Sequence, residues 1–180
     1  MGSDFKDLFG STGWRPDKDG FTSGDEIENR TPQPLNEKEV KVVAVYEAYA
    51  TANNQPIVSQ PVEIFVTLRD NRGRELRIFI TRDMGLSIML ALQNEAPIRP
   101  LTHDLIKSFL EKLGAKITRV IIDDIWDDTF YAKIIFENKN ESYEIDARSS
   151  DAIALALRYR VPIYAAEAVL ESSVQTDFES

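Results

Sequence analysis

The segment Asp146-Ala147-Arg148-Ser149-Ser150-Asp151 concentrates side chains that suit a phosphate or a metal ion. Strand alternation before it places Asp146 where a strand ends and a helix begins. An arginine at a helix amino terminus suits a phosphate, whereas the paired carboxylates of Asp146 and Asp151 suit a divalent cation. The alternative role is local: Ser150 caps the helix, and Arg148 pairs with Asp146.

A second cluster, Arg99-Pro100-Leu101-Thr102-His103-Asp104, also lies at the start of a predicted helix. Thr102 is the predicted N-cap, and His103 falls at the edge of the apolar stripe of that helix. A partly buried histidine beside Asp104 is a candidate general base or metal ligand. The alternative is a histidine at the edge of the core with one satisfied hydrogen bond.

Two residue counts restrict the chemistry further. The sequence has no cysteine and one histidine, which excludes disulfides, thiolate metal sites, cysteine nucleophiles and two-histidine mechanisms. No Walker loop, dinucleotide fingerprint or nucleophile elbow occurs, and we expect no organic cofactor. Catalysis would therefore depend on carboxylates, His103, arginines, hydroxyls, or a bound Mg²⁺ or Mn²⁺.

The charge balance argues against an ordinary nucleic-acid binder. The 30 acidic and 21 basic side chains give a net charge of −9, opposite to the basic footprint of such proteins, although a bound metal would supply local positive charge. Arginines between residues 69 and 82 form a basic run that suits either phosphates or cross-strand ion pairs. The acidic run 123–128 lacks EF-hand spacing and is predicted to be a solvated hairpin turn.

Hydrophobic periodicity places these clusters on an α+β domain. We predict a three-stranded meander over 40–80, strands over 116–122, 129–136, 142–147 and 162–164, and helices over 83–95, 102–114, 151–160 and 167–172. Strands and helices come in blocks rather than in strict alternation. This order indicates a mixed or antiparallel sheet with helices packed on it, in a single compact domain over 40–172.

Residues 1–39 and 173–180 are predicted to be tails. The first is acidic and lacks a hydrophobic period, so we expect disorder, with scattered aromatics as a candidate docking motif for an unknown protein partner. No apolar run of about 18 residues and no secretory signal occurs, so we expect a cytoplasmic protein with no membrane segment. The helix 83–95 is apolar almost all round, which predicts burial on two sides and a homo-oligomer.

Three motifs in the same order resemble those of the bifunctional nuclease domain family, over about residues 40–172. They are Arg99-Pro100-Leu101-Thr102-His103-Asp104-Leu105, Asp128-Thr129-Phe130-Tyr131-Ala132 and Ile145-Asp146-Ala147-Arg148-Ser149-Ser150-Asp151-Ala152-Ile153-Ala154-Leu155-Ala156. The resemblance implies a compact, oligomeric α+β domain in a family named for DNase and RNase activity. The sequence departs from the family at Ser149, where proline is usual, and at 84–87, where a helix start with a glutamate is usual.

The sequence leaves two functions open. The first is a metal-assisted nuclease, in which carboxylates hold Mg²⁺ or Mn²⁺, His103 activates water, and arginines bind the phosphate of a nucleic acid. The second is a non-catalytic oligomeric binding or regulatory domain, whose charged residues form a polar network. The acidic candidates are Asp104, Asp146 and Asp151, with the metal on the last two, and the phosphate-binding candidates are Arg99, Arg148 and Ser150. The nuclease requires segments 99–104 and 146–151 to meet in space.

Overall fold

Seven strands form the sheet that carries the rest of the molecule. The computed structural model describes residues 36–52, 55–56 and 58–176. The sheet has the order β5-β4-β1-β9-β6-β7-β8, and β2 and β3 form a separate two-stranded ribbon. The strands are β1 (Glu37–Ala48), β2 (Thr51–Ala52), β3 (Gln55–Pro56), β4 (Glu63–Asp70), β5 (Glu75–Phe79), β6 (Ala115–Trp126), β7 (Thr129–Asn138), β8 (Glu141–Arg148) and β9 (Ile163–Ala166).

Two antiparallel meanders are joined by the short strand β9. Strand β4 pairs with both β1 and β5, which confirms the predicted three-stranded meander. Strands β6, β7 and β8 form the second meander. Strand β9 lies between the two, antiparallel to β1 and parallel to β6. The sheet is therefore mixed, and the predicted α+β class is confirmed.

Four helices pack on this sheet, namely α1 (Arg82–Gln93), α2 (Thr102–Lys112), α3 (Ser149–Tyr159) and α4 (Glu167–Thr176). Helix α3 contacts α1 and α2 as well as strands β6, β7 and β8, and its residues 152–156 are all buried. Helix α4 lies against β5, β6 and β9. None of the described helices is long and apolar enough to cross a membrane. Helix α3, which follows β8 directly, therefore lies beside α1 and α2.

The acidic hairpin between β6 and β7 is tighter than predicted. Strand β6 continues to Trp126, so most of the run 123–128 is strand rather than turn. The turn itself is Asp127 and Asp128, which have φ angles of 49° and 57°. Two consecutive positive φ values are typical of the two-residue turns that match the twist of a hairpin. Aspartate tolerates this conformation better than most residues, which explains its place at the turn.

The two helices that carry the candidate motifs have other N-cap residues than predicted, and α3 also begins two residues earlier. Helix α3 starts at Ser149 with Arg148 in the N-cap position, so the prediction that Ser150 caps this helix is wrong. Helix α2 starts at Thr102 with Leu101 in the N-cap position, so Thr102 is not the cap either. Serine and threonine are frequent caps, but here backbone geometry places them inside the first turn.

The described part of the chain begins within the predicted amino-terminal tail. Strand β1 starts at Glu37, and residues 37–40 pair with β9. The backbone N–H of Glu167 also donates to the carbonyl of Asn36, at 3.0 Å. At the other end, α4 continues to Thr176. The predictions for residues 1–35 and 177–180 lie outside the described residues.

Helices α1 and α2 leave apolar side chains exposed in the single chain. In α1, Ser87 and Ile88 are buried and the opposite side is open in the single chain, so burial of that second side, expected from another subunit, stays a prediction. In α2, Ile106 and Leu110 pack on the core while the rest of the predicted stripe is open. The exposed apolar residues of the two helices are Leu86, Met89, Leu92, Leu105, Phe109 and Leu113. The homo-oligomer stays a prediction.

Most arginines of the basic run over residues 69–82 form ion pairs with carboxylates of the fold. The Arg74 guanidinium binds Asp70 at 2.8 Å and both carboxylate oxygens of Glu167 at 2.8 and 3.2 Å. These two partners raise the pKa of Arg74, and Asp70 is itself buried. Arg69 forms a cross-strand pair with Glu75. The interpretation as cross-strand ion pairs is therefore favoured over a phosphate site.

Candidate functional site

Three helices converge where the two predicted motifs lie. The first turn of α2 carries His103 and Asp104, the first turn of α3 carries Asp151, and the middle of α1 contributes Ser87. Helices α1 and α2 each pack against α3. As a result, the Nε2 atom of His103 lies 3.0 Å from Oδ1 of Asp151, 48 residues later in the chain. Segments 99–104 and 146–151 therefore meet in space.

His103 is held on both sides of its ring. It is 5% exposed, and its Nδ1 atom lies 3.0 Å from the hydroxyl of Ser87. The carboxylate of Asp151 can only accept a hydrogen bond, so Nε2 carries the proton and donates it. In the neutral ring, Nδ1 then accepts from the Ser87 hydroxyl, which fixes the direction of both bonds.

Asp151 connects the buried imidazole to the surface. Its second oxygen, Oδ2, accepts from Nε of Arg148 at 2.7 Å, and the Arg148 side chain is 72% exposed. The hydrogen bond from His103 lowers the pKa of Asp151, burial opposes this, and Arg148 lowers it further. In turn, Asp151 raises the pKa of Arg148. The result is a chain of contacts from Ser87 through His103 and Asp151 to an exposed guanidinium.

Asp104 forms a second ion pair, with Arg158, in addition to the pair of Arg148 and Asp151. Burial raises the pKa of Asp104, but hydrogen bonds from Arg158 and from the Leu101 N–H more than offset it, and the pKa is lowered overall. The Asp104 carboxylate binds Nε of Arg158 at 2.6 Å, and the Arg158 side chain is only 6% exposed. Arg158 also donates to the carbonyls of Ser87 and Ala154, both at 3.1 Å. Asp104 and Arg158 thus tie α2 to α1 and α3.

The other predicted site residues lie outside this network. Arg99 is exposed in the loop before α2, and Ser150 is 8% exposed in the first turn of α3. Asp146 is exposed on β8, opposite Lys133 of β7. The alternative pairing of Arg148 with Asp146 is wrong, because the guanidinium of Arg148 binds Asp151 instead. The structure therefore brings together His103, Asp104, Arg148 and Asp151 from the predicted set.

The donor atoms of the site do not fit a preformed divalent metal centre. Both oxygens of Asp151 already accept hydrogen bonds, from His103 and from the cationic Arg148. Across residues 36–52, 55–56 and 58–176, no group of three or more His, Cys, Asp or Glu side chains is placed to hold an ion. A requirement for Mg²⁺ or Mn²⁺ stays a prediction.

Two members of the network were not among the predicted site residues. Arg158 was visible in the sequence as a polar residue two turns after Asp151 on an otherwise apolar helix. Such a strip must face a polar partner, and here it faces the Asp104 carboxylate. Ser87 gave a weaker signal, as one of the few polar residues of α1. No periodicity could identify it as the partner of His103, because that contact depends on how α1 packs against α2.

Comparison with known proteins identifies the family. A model of the bifunctional nuclease domain matches residues 66–177, which contain every residue of the network described above. The chain belongs to the bifunctional nuclease domain family. An uncharacterized protein of Mycobacterium tuberculosis strain H37Rv is 40% identical over 133 residues, which cover 73% of this chain and 73% of that protein.

Plant relatives that carry the nuclease name match this bifunctional nuclease domain over a shorter length. Bifunctional nuclease 1 of Oryza sativa subsp. japonica is 27% identical over 103 residues, or 56% of this chain and 31% of the rice protein. Bifunctional nuclease 2 of Arabidopsis thaliana is 26% identical over 113 residues, or 61% of this chain and 34% of that protein. The matched region is therefore about a third of each plant protein.

Proposed function

We propose that this chain is a nuclease that hydrolyses phosphodiester bonds of DNA or RNA at the exposed edge formed by Arg148 and Asp151. One observation carries the proposal: His103 and Asp151, from separate family motifs, bind each other at 3.0 Å directly behind an exposed arginine. Membership of the bifunctional nuclease domain family supports the reaction class. The plant relatives named as nucleases support it in the same way.

Arg148 is the residue suited to hold the phosphate. Its Nε atom is engaged by Asp151, which fixes the plane of the guanidinium. The two terminal amino groups of a guanidinium oriented in this way can bind two phosphate oxygens together. The amino terminus of α3 lies beside it and favours negative charge. This contact positions the phosphate and would stabilise the charge that develops on it during attack.

Asp151 and His103 are suited to orient the attacking water. The Asp151 side chain is 28% exposed, so a water molecule can reach it, whereas the His103 side chain is 6% exposed. Because both ring nitrogens of His103 are engaged, the imidazole acts on water only through the Asp151 carboxylate. His103 is therefore a positioning residue in this proposal. It holds one carboxylate oxygen so that the remaining lone pairs face the phosphate edge.

The test is cleavage of single-stranded RNA and double-stranded DNA by the purified full chain, with Mg²⁺, with Mn²⁺ and with EDTA. Asp151→Asn keeps an oxygen for His103 but removes the negative charge, so we expect cleavage to be lost while the fold remains. Asp123→Asn is the matched control, because Asp123 is another partly buried, ion-paired aspartate, on β6. Equal cleavage by the wild type and Asp151→Asn would overturn the proposal. The EDTA arm decides the metal requirement separately.

A second function has an observation of its own in its favour. Every buried side-chain nitrogen and oxygen of the described residues has a hydrogen-bond partner, so the network is complete without any substrate. A non-catalytic binding or regulatory domain would use the same contacts only to hold three helices together. In that case the wild type cleaves neither RNA nor DNA, and Asp151→Asn changes only the stability of the fold. The same pair of proteins thus separates the two functions.

A further inference from the structure

Strand register places two aromatic residues on the same face of the sheet as the arginine of the site. Tyr131 of β7 is the direct cross-strand partner of Arg148 on β8. Trp126 of β6 pairs with Thr129, two residues before Tyr131, and no register shift separates these pairs. Directly paired residues of antiparallel strands share a face, and so do alternate residues of one strand. Trp126, Tyr131 and Arg148 therefore lie on one face of the sheet.

These three side chains are open to solvent in the single chain. Trp126 is 66% exposed and Tyr131 is 42% exposed, and the Arg148 side chain is 72% exposed. Neighbouring strands lie ~4.8 Å apart, so the row crosses three strands within ~10 Å. Large rings that face water on adjacent strands are a known way for a sheet to hold unpaired bases. Their position beside Arg148 makes the row continuous with the proposed phosphate site.

The charges of this face favour single-stranded over double-stranded nucleic acid. The direct partner of Tyr131 on β6 is the acidic Asp124. Lys133, two residues after Tyr131 on the same face, is bound by Glu144 at 2.6 Å and by Asp123 at 3.4 Å. Asp146 lies beside it as its register partner. A duplex binds mainly through many phosphate contacts, which this face does not offer. A single strand can instead bind through its bases, because stacking on an aromatic ring does not require a basic surface.

We infer that Trp126, Tyr131 and Arg148 form a binding surface for single-stranded nucleic acid, with bases stacked on the two rings and one phosphate on the arginine. This inference rests on the proposed function, and it adds the class of substrate and two residues that hold it. Trp126 and Tyr131 are binding residues in this inference, since they contact the bases of the nucleic acid rather than the reacting phosphate.

The test is fluorescence anisotropy of a short labelled oligodeoxythymidylate, and of a hairpin duplex of equal length, titrated with the full chain. A gel run afterwards verifies that the oligonucleotide is intact. We expect Trp126→Ala and Tyr131→Ala each to weaken binding of the single strand by about tenfold or more, and Trp126→Phe to retain it. Phe79→Ala is the matched control, since Phe79 is 64% exposed on β5 at the opposite edge of the sheet.

Salt dependence checks the single phosphate contact. For one phosphate on a single strand, we expect the logarithm of the affinity to fall linearly with the logarithm of the salt concentration, with a slope of about −0.7. We also expect the hairpin duplex to bind more weakly than the single strand. A slope several times steeper, or tighter duplex binding, would overturn the inference, because it would require a basic surface elsewhere.

Other outcomes separate this inference from the proposed function. If the wild type binds the single strand through Trp126 but cuts nothing, the nuclease fails while the binding surface stands. If the Trp126→Ala and Tyr131→Ala variants bind the single strand with unchanged affinity and cut nucleic acid as the wild type does, the binding surface fails while the nuclease stands. Sedimentation of the same variants without nucleic acid gives a third readout. Loss of an oligomer in Trp126→Ala would mark the row as a contact between copies and overturn the inference.

Discussion

The bond between His103 and Asp151 provides a direct test of the network that joins the three helices. His103 is 5% exposed, so His103→Ala leaves the Ser87 hydroxyl and one Asp151 oxygen without their partner. A hydrogen bond to a charged group contributes ~1.5–3 kcal/mol, and an unpaired buried hydroxyl costs ~1–3 kcal/mol. We therefore expect His103→Ala to lower the free energy of unfolding by about 3–5 kcal/mol.

A double-mutant cycle isolates the bond itself from these other losses. The four proteins are the wild type, His103→Ala, Asp151→Ala and the double variant, unfolded in urea at neutral pH and followed by circular dichroism. Because the Asp151 side chain is 28% exposed, water replaces part of the lost bond. The coupling energy should lie at the lower end of the range, at about 1.5 kcal/mol.

The matched control is a cycle on Arg69 and Glu75, an ion pair between β4 and β5 whose side chains are 49% and 29% exposed. Exposed pairs of this kind couple by only ~0.2–1 kcal/mol. If the coupling between His103 and Asp151 is no larger than in this control, the buried imidazole does not stabilise the site, and the reasoning is refuted.

Three further predictions follow from the same structure. Arg158→Met should lower the free energy of unfolding by about 3–5 kcal/mol, because it leaves a partly buried carboxylate unpaired, and urea unfolding measures it. The pKa values of Asp104 and Asp151 in the folded state are both lowered from 3.8. The two charged carboxylates therefore stabilise the fold fully above that pH, and this stabilisation is lost as the pH falls through the lowered values. The melting temperature of Asp104→Asn should fall less on acidification than that of the wild type. Deletion of residues 1–39 removes part of the pairing between β1 and β9, and its melting temperature should be lower than after deletion of residues 1–35; equal values would contradict a stabilising role for that pairing.

The fold class was predictable because its signals are local. Alternating apolar residues identified the first meander and the three strands of the second, and blocks of strands and helices indicated a mixed or antiparallel sheet. Local signals did not predict where strand β9 lies in the sheet. Its four residues pair with β1 and with β6, which lie far apart in sequence, so its place in the sheet depends on long-range pairing. The end of β6 was missed for the same reason, since pairing with β7 holds its acidic residues in the strand.

The sequence predicted which residues form the site better than it predicted which of them contact each other. Residue types and helix starts pointed to His103, Asp104, Arg148 and Asp151, and the structure places all four in or beside one network. Helical spacing put His103 at the edge of the apolar stripe, whereas the packing of α2 turns it inward and leaves Phe109 exposed. A single-helix pattern contains no information about which neighbour offers a hydrogen bond.

The departure from the family pattern at 84–87 lies in contact with the site itself. Ser87 is the partner of Nδ1 of His103, and Asp151 occupies Nε2 as an acceptor. With Nε2 donating, the neutral ring offers Nδ1 as an acceptor, so its partner must donate a proton. A serine hydroxyl can do so, whereas an ionised carboxylate in its place would require a charged imidazole. Ser87 therefore supplies the donor that a neutral imidazole needs at Nδ1, while Arg148 pairs with the outer oxygen of Asp151 at the surface.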